Sequence, residues 1–128
     1  MAFTFGKEEK LKSRKQIESL FLEGQNVKSF PFRLIYHPIE FDSKSPIKVG
    51  FSVPKRSIKL AVNRNRIKRV MRELYRLNKQ QFGEHLTQTH VFMFVYMGKE
   101  ELSYNELDKS FKKLITKFIQ KISQDEEN

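Results

Sequence analysis

In Val62-Asn63-Arg64-Asn65-Arg66-Ile67-Lys68-Arg69-Val70-Met71-Arg72-Glu73-Leu74-Tyr75-Arg76-Leu77-Asn78-Lys79-Gln80-Gln81, the apolar period changes from two to 3.6. At roughly 100° per residue, Ile67, Val70, Met71, Leu74 and Leu77 gather on one side of a helix, and Asn65, Lys68, Arg69, Arg72 and Arg76 on the other. Burying the first set turns the second outward as a cationic ridge. Glu73 can pair with Arg69 or Arg76, an exposed contact too weak to cancel the ridge. Just upstream, Ile47, Val49, Phe51 and Val53 alternate with Lys48, Gly50 and Ser52, the pattern of a strand with one apolar face, and Pro54 ends it. Downstream of Gly83, Val91-Phe92-Met93-Phe94-Val95-Tyr96-Met97 is apolar almost throughout, as expected of an inner strand covered on both faces. The three together make a βαβ unit.

Further out, Ser13 and Gln16 form a capping box for a helix with Ile17, Leu20 and Phe21 on one face, and Gly24 is placed to end it in a left-handed conformation. Phe32-Arg33-Leu34-Ile35-Tyr36, set between Pro31 and Pro38, is rich in β-formers and reads as a strand; a loop from Glu40 to Pro46 follows. A second capping box, Ser103 with Glu106, opens a last helix striped by Leu107, Phe111, Leu114, Ile115, Phe118 and Ile122. The order is helix, two or three strands, basic helix, strand, helix. The class is therefore α+β, or a small α-β sandwich around a mixed sheet.

With 128 residues and 38% hydrophobic content, the chain fits one domain spanning 1–128, with 1–10 and 123–128 as loose ends and Asp125-Glu126-Glu127 as a solvated tail. No stretch approaches the roughly 20 apolar residues of a membrane span, and the start lacks the layout of a secretory signal, so the expected location is the cytoplasm. The absence of cysteine excludes disulfides, thiolate nucleophiles and cysteine-based zinc sites together. Of the net charge of +10, +8 lies between Lys55 and Arg76, where nine basic residues face one acid. Self-repulsion of that density points to a polyanionic partner, nucleic acid or an acidic membrane surface, against the plainer reading of a solvated helix face.

An enzyme acting alone needs a nucleophile, base or metal cluster. His37, His85 and His90 are scattered without metal spacing and read as loop or surface histidines. Glu8-Glu9 and Glu100-Glu101 read as solvated pairs rather than a two-metal site, and the five glycines form no phosphate-cradling loop. Catalysis by the protein itself is thus not expected. Present instead is Ala61-Val62-Asn63-Arg64-Asn65-Arg66-Ile67-Lys68-Arg69-Val70-Met71-Arg72-Glu73. Arginine's planar fork grips two phosphate oxygens, and Asn65 can bond a phosphate, a 2′-hydroxyl or a base edge.

This run resembles the Arg-Asn-Arg signature of the bacterial ribonuclease P protein family, with Ala-Val before it and Ile-Lys-Arg and Arg-Glu after it at the family's spacing. The resemblance extends over most of the chain. Phe21 before Gly24, Val49-Gly50-Phe51-Ser52-Val53, and Ser103 to Glu106 follow in the family's order. It implies a sandwich with a left-handed βαβ crossover, against the usual right-handed rule. It also implies a large catalytic RNA subunit that removes the 5′ leader of precursor tRNA with Mg²⁺, one protein joining each RNA.

On this resemblance, Arg64, Asn65, Arg66, Lys68, Arg69 and Arg72, extended by Lys55 and Arg56, would dock the RNA by contacts weakened by salt. The single-stranded leader would lie in a cleft formed with Phe21, Ile17, Phe32 and Tyr36, with Arg33 and Lys48 supplying charge. For each aromatic the alternative is core packing. Two departures stand out. Ile17 occupies a position where relatives often carry a second aromatic, leaving Phe5 or Phe30 to supply stacking. The turn Pro54-Lys55-Arg56-Ser57-Ile58-Lys59-Leu60 is one residue longer than in many relatives and lacks their glycine. Rival readings are a ribosomal or general RNA-binding protein and an autonomous nuclease.

Overall fold

Residues 9–42 and 45–127 are described in a computed structural model, the side chains of 125–127 excepted. Three helices, α1 (Arg14–Glu23), α2 (Ala61–Gly83) and α3 (Tyr104–Glu127), accompany four strands, β1 (Gln25–Ser29), β2 (Phe32–Pro38), β3 (Ile47–Ser52) and β4 (His90–Tyr96). The sheet order is β1-β2-β4-β3, with β3 parallel to β4 and the other pairs antiparallel. This is the expected α+β architecture, with a mixed sheet and α2 as the crossover between two adjacent parallel strands.

The optional strand of the sequence reading is β1. Its residues, Gln25 to Ser29, are largely polar, and it exists because Phe30 and Pro31 turn the chain back onto β2. An edge strand exposes a row of backbone groups that invites foreign pairing. Here Lys117 and Lys121 reach from α3 and donate to the Lys28 and Asn26 carbonyls at 2.8 and 3.0 Å. At the opposite edge Leu11 N donates to Val49 O at 3.0 Å, so the segment before α1 covers β3. Both edges are blunted.

Strand alternation divides the core in two. Phe32, Leu34, Tyr36, Ile47, Val49, Phe92, Phe94 and Tyr96 face α2 and α3 and join Met71, Leu74, Tyr75, Phe82, Phe111 and Phe118 in the main cluster. Ile35, Val91 and Met93 face the other way, under Leu11 and Leu20, with Ile17, Ile39 and Phe41 at its margin. β4 lies between strands and between clusters, as its unbroken apolar run requires. It spans His90–Tyr96 rather than Val91 to Met97, and Met97 is exposed.

The caps hold in part. Ser13 Oγ accepts from Gln16 N, and Ser103 Oγ from Glu106 N, each at 3.2 Å. Gly24, however, does not adopt the expected left-handed conformation: its φ and ψ are −69° and 152°. What requires glycine is closeness. A Cβ there would lie 2.3 Å from the Leu20 carbonyl oxygen and 2.9 Å from Ile35 Cγ2.

Other expectations need correction. Leu77 is 43% exposed, whereas Tyr75, Asn78 and Phe82 are buried. At 100° per residue, Leu77 lies roughly 100° from the centre of the buried arc that runs through Ile67, Met71, Leu74 and Phe82. His90 is no surface histidine: it is 3% exposed in β4, burial holds its pKa below the usual value, and its Nδ1 lies 2.9 Å from the Gln88 carbonyl oxygen. Glu9 pairs with Lys79 at 2.6 Å, and α3 continues through Glu127; residues 1–8 and 128 lie outside the described residues.

Candidate nucleic-acid interface

The basic side chains of α2 leave its axis in four directions. Asn65, Arg69 and Arg72 are exposed on the side opposite the buried arc, as the periodicity predicts. Arg76 shares that side, but Glu73 accepts from its Nε and Nη2 at 3.1 and 2.5 Å. That ion pair holds the Glu73 carboxyl below its usual range and shortens the ridge at its far end.

Lys68, half-buried, lies on the flank toward β3. Together with Arg72, Lys10, Lys12, Val49 and Phe51 it lines a groove of about 440 Å³ between the helix, the sheet edge and the segment before α1. Four cations converge there. Sequence reasoning missed Lys10 and Lys12 because they are remote from the motif in sequence. The only available signal was their charge just ahead of a helix cap, and that does not reveal that Leu11 docks on β3.

Arg66 lies on the opposite flank. Its Nε and Nη2 donate to the two Glu101 oxygens at 2.6 and 2.7 Å, and Nη2 also donates to Asn63 Oδ1 at 2.9 Å. The hydrogen bond with Glu101 raises the pKa of Arg66 and lowers that of Glu101. Glu101, expected as part of a solvated Glu100-Glu101 pair, is exposed but held by Arg66.

Arg64 departs furthest from expectation. It precedes Phe82 by 18 residues, five full turns at 3.6 residues each, so it leaves the helix in the direction of the core. Its Nη1 donates to the Ile58 and Lys59 carbonyls at 3.0 and 2.7 Å, fastening the turn between β3 and α2. In that turn Ser57 N and Ile58 N both donate to Pro54 O at 3.1 Å, and Ile58 is buried, which defines its path without glycine. Lys55 and Arg56 project from it, exposed. Removing Arg64 and Arg66 together would thus disturb two intramolecular contacts as well as charge.

The residues expected to line a cleft separate onto two faces. Phe32 is 0% and Tyr36 2% exposed, packed edge-on against Phe111 and Phe118 respectively. Neither ring can take a base in this arrangement. The period of two in Phe32-Leu34-Tyr36 places both on the face that α2 and α3 cover, and Arg33, Ile35 and His37 mark the other face. Arg33 and Lys48 lie on that second face, shared with α1; Lys48 Nζ stands 5.0 Å from the centre of the Phe41 ring. On α1, Ile17 is half-buried against the smaller cluster and Phe21 is 55% exposed. Phe30 is also exposed; Phe5 lies outside the described residues. Gln16 Oε1 and Arg33 Nε are enclosed without a hydrogen-bond partner, which is uncommon for buried polar atoms.

The model of the Ribonuclease P family matches residues 5–119 of the chain. The chain belongs to the ribonuclease P protein family. Among relatives of this family member, a ribonuclease P protein component of Porphyromonas gingivalis is 31% identical over 120 residues, covering 86% of this chain and 84% of that protein. The component of Pseudoalteromonas translucida is 33% identical over 112 residues, covering 88% and 75%. The fold is shared with the RNase P protein of Staphylococcus aureus, at a TM-score of 0.68 and 20% identity over 84% of this chain and 93% of that one. That of Thermotoga maritima aligns with a TM-score of 0.66 and 20% identity over 85% and 96%.

Among the described residues no group of three or more His, Asp or Glu is placed to hold a metal ion, and no helix is long and apolar enough to cross a membrane.

Proposed function

We propose that this chain is the noncatalytic protein subunit of a cytoplasmic ribonuclease P, which removes the 5′ leader from precursor tRNA. The observation that carries the reading is the alignment of Asn65, Arg69 and Arg72 on the solvent side of α2, beside the groove of Lys10, Lys12 and Lys68, in a member of this family. The ridge docks the catalytic RNA, one protein to each RNA, with the exposed Lys55 and Arg56 extending the contact. Phosphate contacts of this kind are salt-sensitive. Mg²⁺ is assigned to the catalytic RNA, whose phosphates supply the oxygen ligands it prefers.

The leader is assigned to the face shared by α1 and the sheet. Phe21 offers an exposed ring, and Arg33 and Lys48 offer charge. Phe21→Ala is expected to weaken binding of precursor tRNA about fivefold or more, from a stacking contribution of roughly 1–3 kcal/mol, while mature tRNA binding changes little. Binding titrations with the two RNAs check it, and equal losses for both would remove Phe21 from the leader site. Since its ring is largely exposed, the variant should fold.

The reading is tested by adding the purified chain to a bacterial ribonuclease P RNA and precursor tRNA at low Mg²⁺. Faster leader removal is expected. Binding without acceleration would instead make it a general RNA-binding protein, and cleavage without added RNA an autonomous nuclease.

A further inference from the structure

Glu101 stands 35 residues from Arg66 in sequence, in the segment joining β4 to α3. Its position is built. The buried Tyr96 hydroxyl donates to the Glu100 carbonyl at 2.6 Å and accepts from Leu102 N at 3.4 Å, so the backbone on both sides of Glu101 is fastened to the core. A guanidinium has five N–H groups. Glu101 and Asn63 together engage Nε and both hydrogens of Nη2, which leaves Arg66 only Nη1. A bidentate grip on a phosphate needs Nε with Nη2, or Nη1 with Nη2, so both edges are compromised. The pair remains open to solvent, with side-chain exposures of 55% and 31%, and lies beside a cleft bordered by Asn63, Lys59 and Lys99.

We propose that Glu101 is a competing ligand of Arg66 that stands in for a phosphate, so that docking is an exchange in which an RNA phosphate displaces the carboxylate. The inference rests on the RNA-docking reading of α2. Both groups are anions with paired oxygens, so the exchange moves no proton. Lys99, on the same cleft, offers the released carboxylate a cation. An RNA that brings only phosphates gains little at Arg66, because it must give up what it displaces. One whose phosphate is positioned by simultaneous contacts to Arg69 and Arg72 completes the exchange.

The test measures binding of wild type, Glu101→Gln, Arg66→Ala and the double variant to a bacterial ribonuclease P RNA and to a uridine 20-mer at one salt concentration. Glu101→Gln keeps the shape and removes the charge. It is expected to tighten binding to the ribonuclease P RNA about three- to tenfold and to the 20-mer by less, and both gains should vanish in the Arg66→Ala background. Weaker or unchanged binding of the ribonuclease P RNA by Glu101→Gln overturns the proposal, as does a gain that survives without Arg66 or is larger for the 20-mer. If wild type does not prefer the ribonuclease P RNA, the docking reading fails, while the cycle still decides the exchange.

Discussion

Replacing Lys68, Arg69 and Arg72 together by glutamine is expected to weaken binding to ribonuclease P RNA about a hundredfold at physiological salt while leaving the unfolding midpoint where it was. Arg69 and Arg72 project from the side of α2 opposite the core, and Lys68 borders the groove beside β3. Unlike Arg64 and Arg66, none of the three is hydrogen-bonded to the turn or to the segment before α3 among the described residues, so their loss is mainly a loss of charge toward the partner. Each phosphate contact removed should also reduce the slope of log affinity against log salt by about one, or about three in all. A titration series over salt concentration separates this from a general loss of structure. Unchanged affinity and slope would move the RNA to another surface.

The second large effect concerns the core that positions the ridge. Phe82 is fully buried near the end of α2, with its ring centre 5.5 Å from that of Phe92 and 5.4 Å from that of Phe118, and Tyr75, Phe94 and Phe111 close by. It thus joins the helix, the central strand and α3 at one point. Phe82→Ala should cost about 3–5 kcal/mol, from lost transfer energy plus a cavity that five rings cannot collapse to fill. Against a usual domain stability of about 5–15 kcal/mol, that lowers the thermal midpoint on the order of 10–20 °C. Urea unfolding with Leu22→Ala, at an exposed position of α1, as reference gives the comparison. A loss below about 1 kcal/mol for Phe82→Ala would mean the core is not assembled around that ring.

Where local pattern and burial coincide, the elements were legible. The change of period at Val62 marks α2, the stripe from Leu107 to Ile122 marks α3, and both serine caps accept hydrogen bonds from the expected amides. Strand β1 was harder, because Gln25 to Ser29 have no apolar pattern and their pairing depends on β2 and on lysines 89 and 95 residues away. The site divides along the same line. Asn65, Arg69 and Arg72 could be placed by angle around the helix alone. Arg64 could have been, since five full turns separate it from Phe82, but nothing within the helix announces the carbonyls it meets. Arg66 could not, because its partner lies in the segment before α3. For Phe32 and Tyr36 the alternation within β2 decides between stacking and core packing, because it places both rings under α3.

The central claim is that the solvent side of α2 is the surface that meets RNA. Since the chain has no cysteine, a single introduced thiol can carry an iron–EDTA probe. With Val62→Cys at the exposed start of α2 and Lys113→Cys on the exposed side of α3, hydroxyl-radical cleavage of bound ribonuclease P RNA reports which surface is near its backbone. Strong, localised cuts from position 62 with few from 113 are the expected result; strong cuts from 113 with none from 62 would contradict the account.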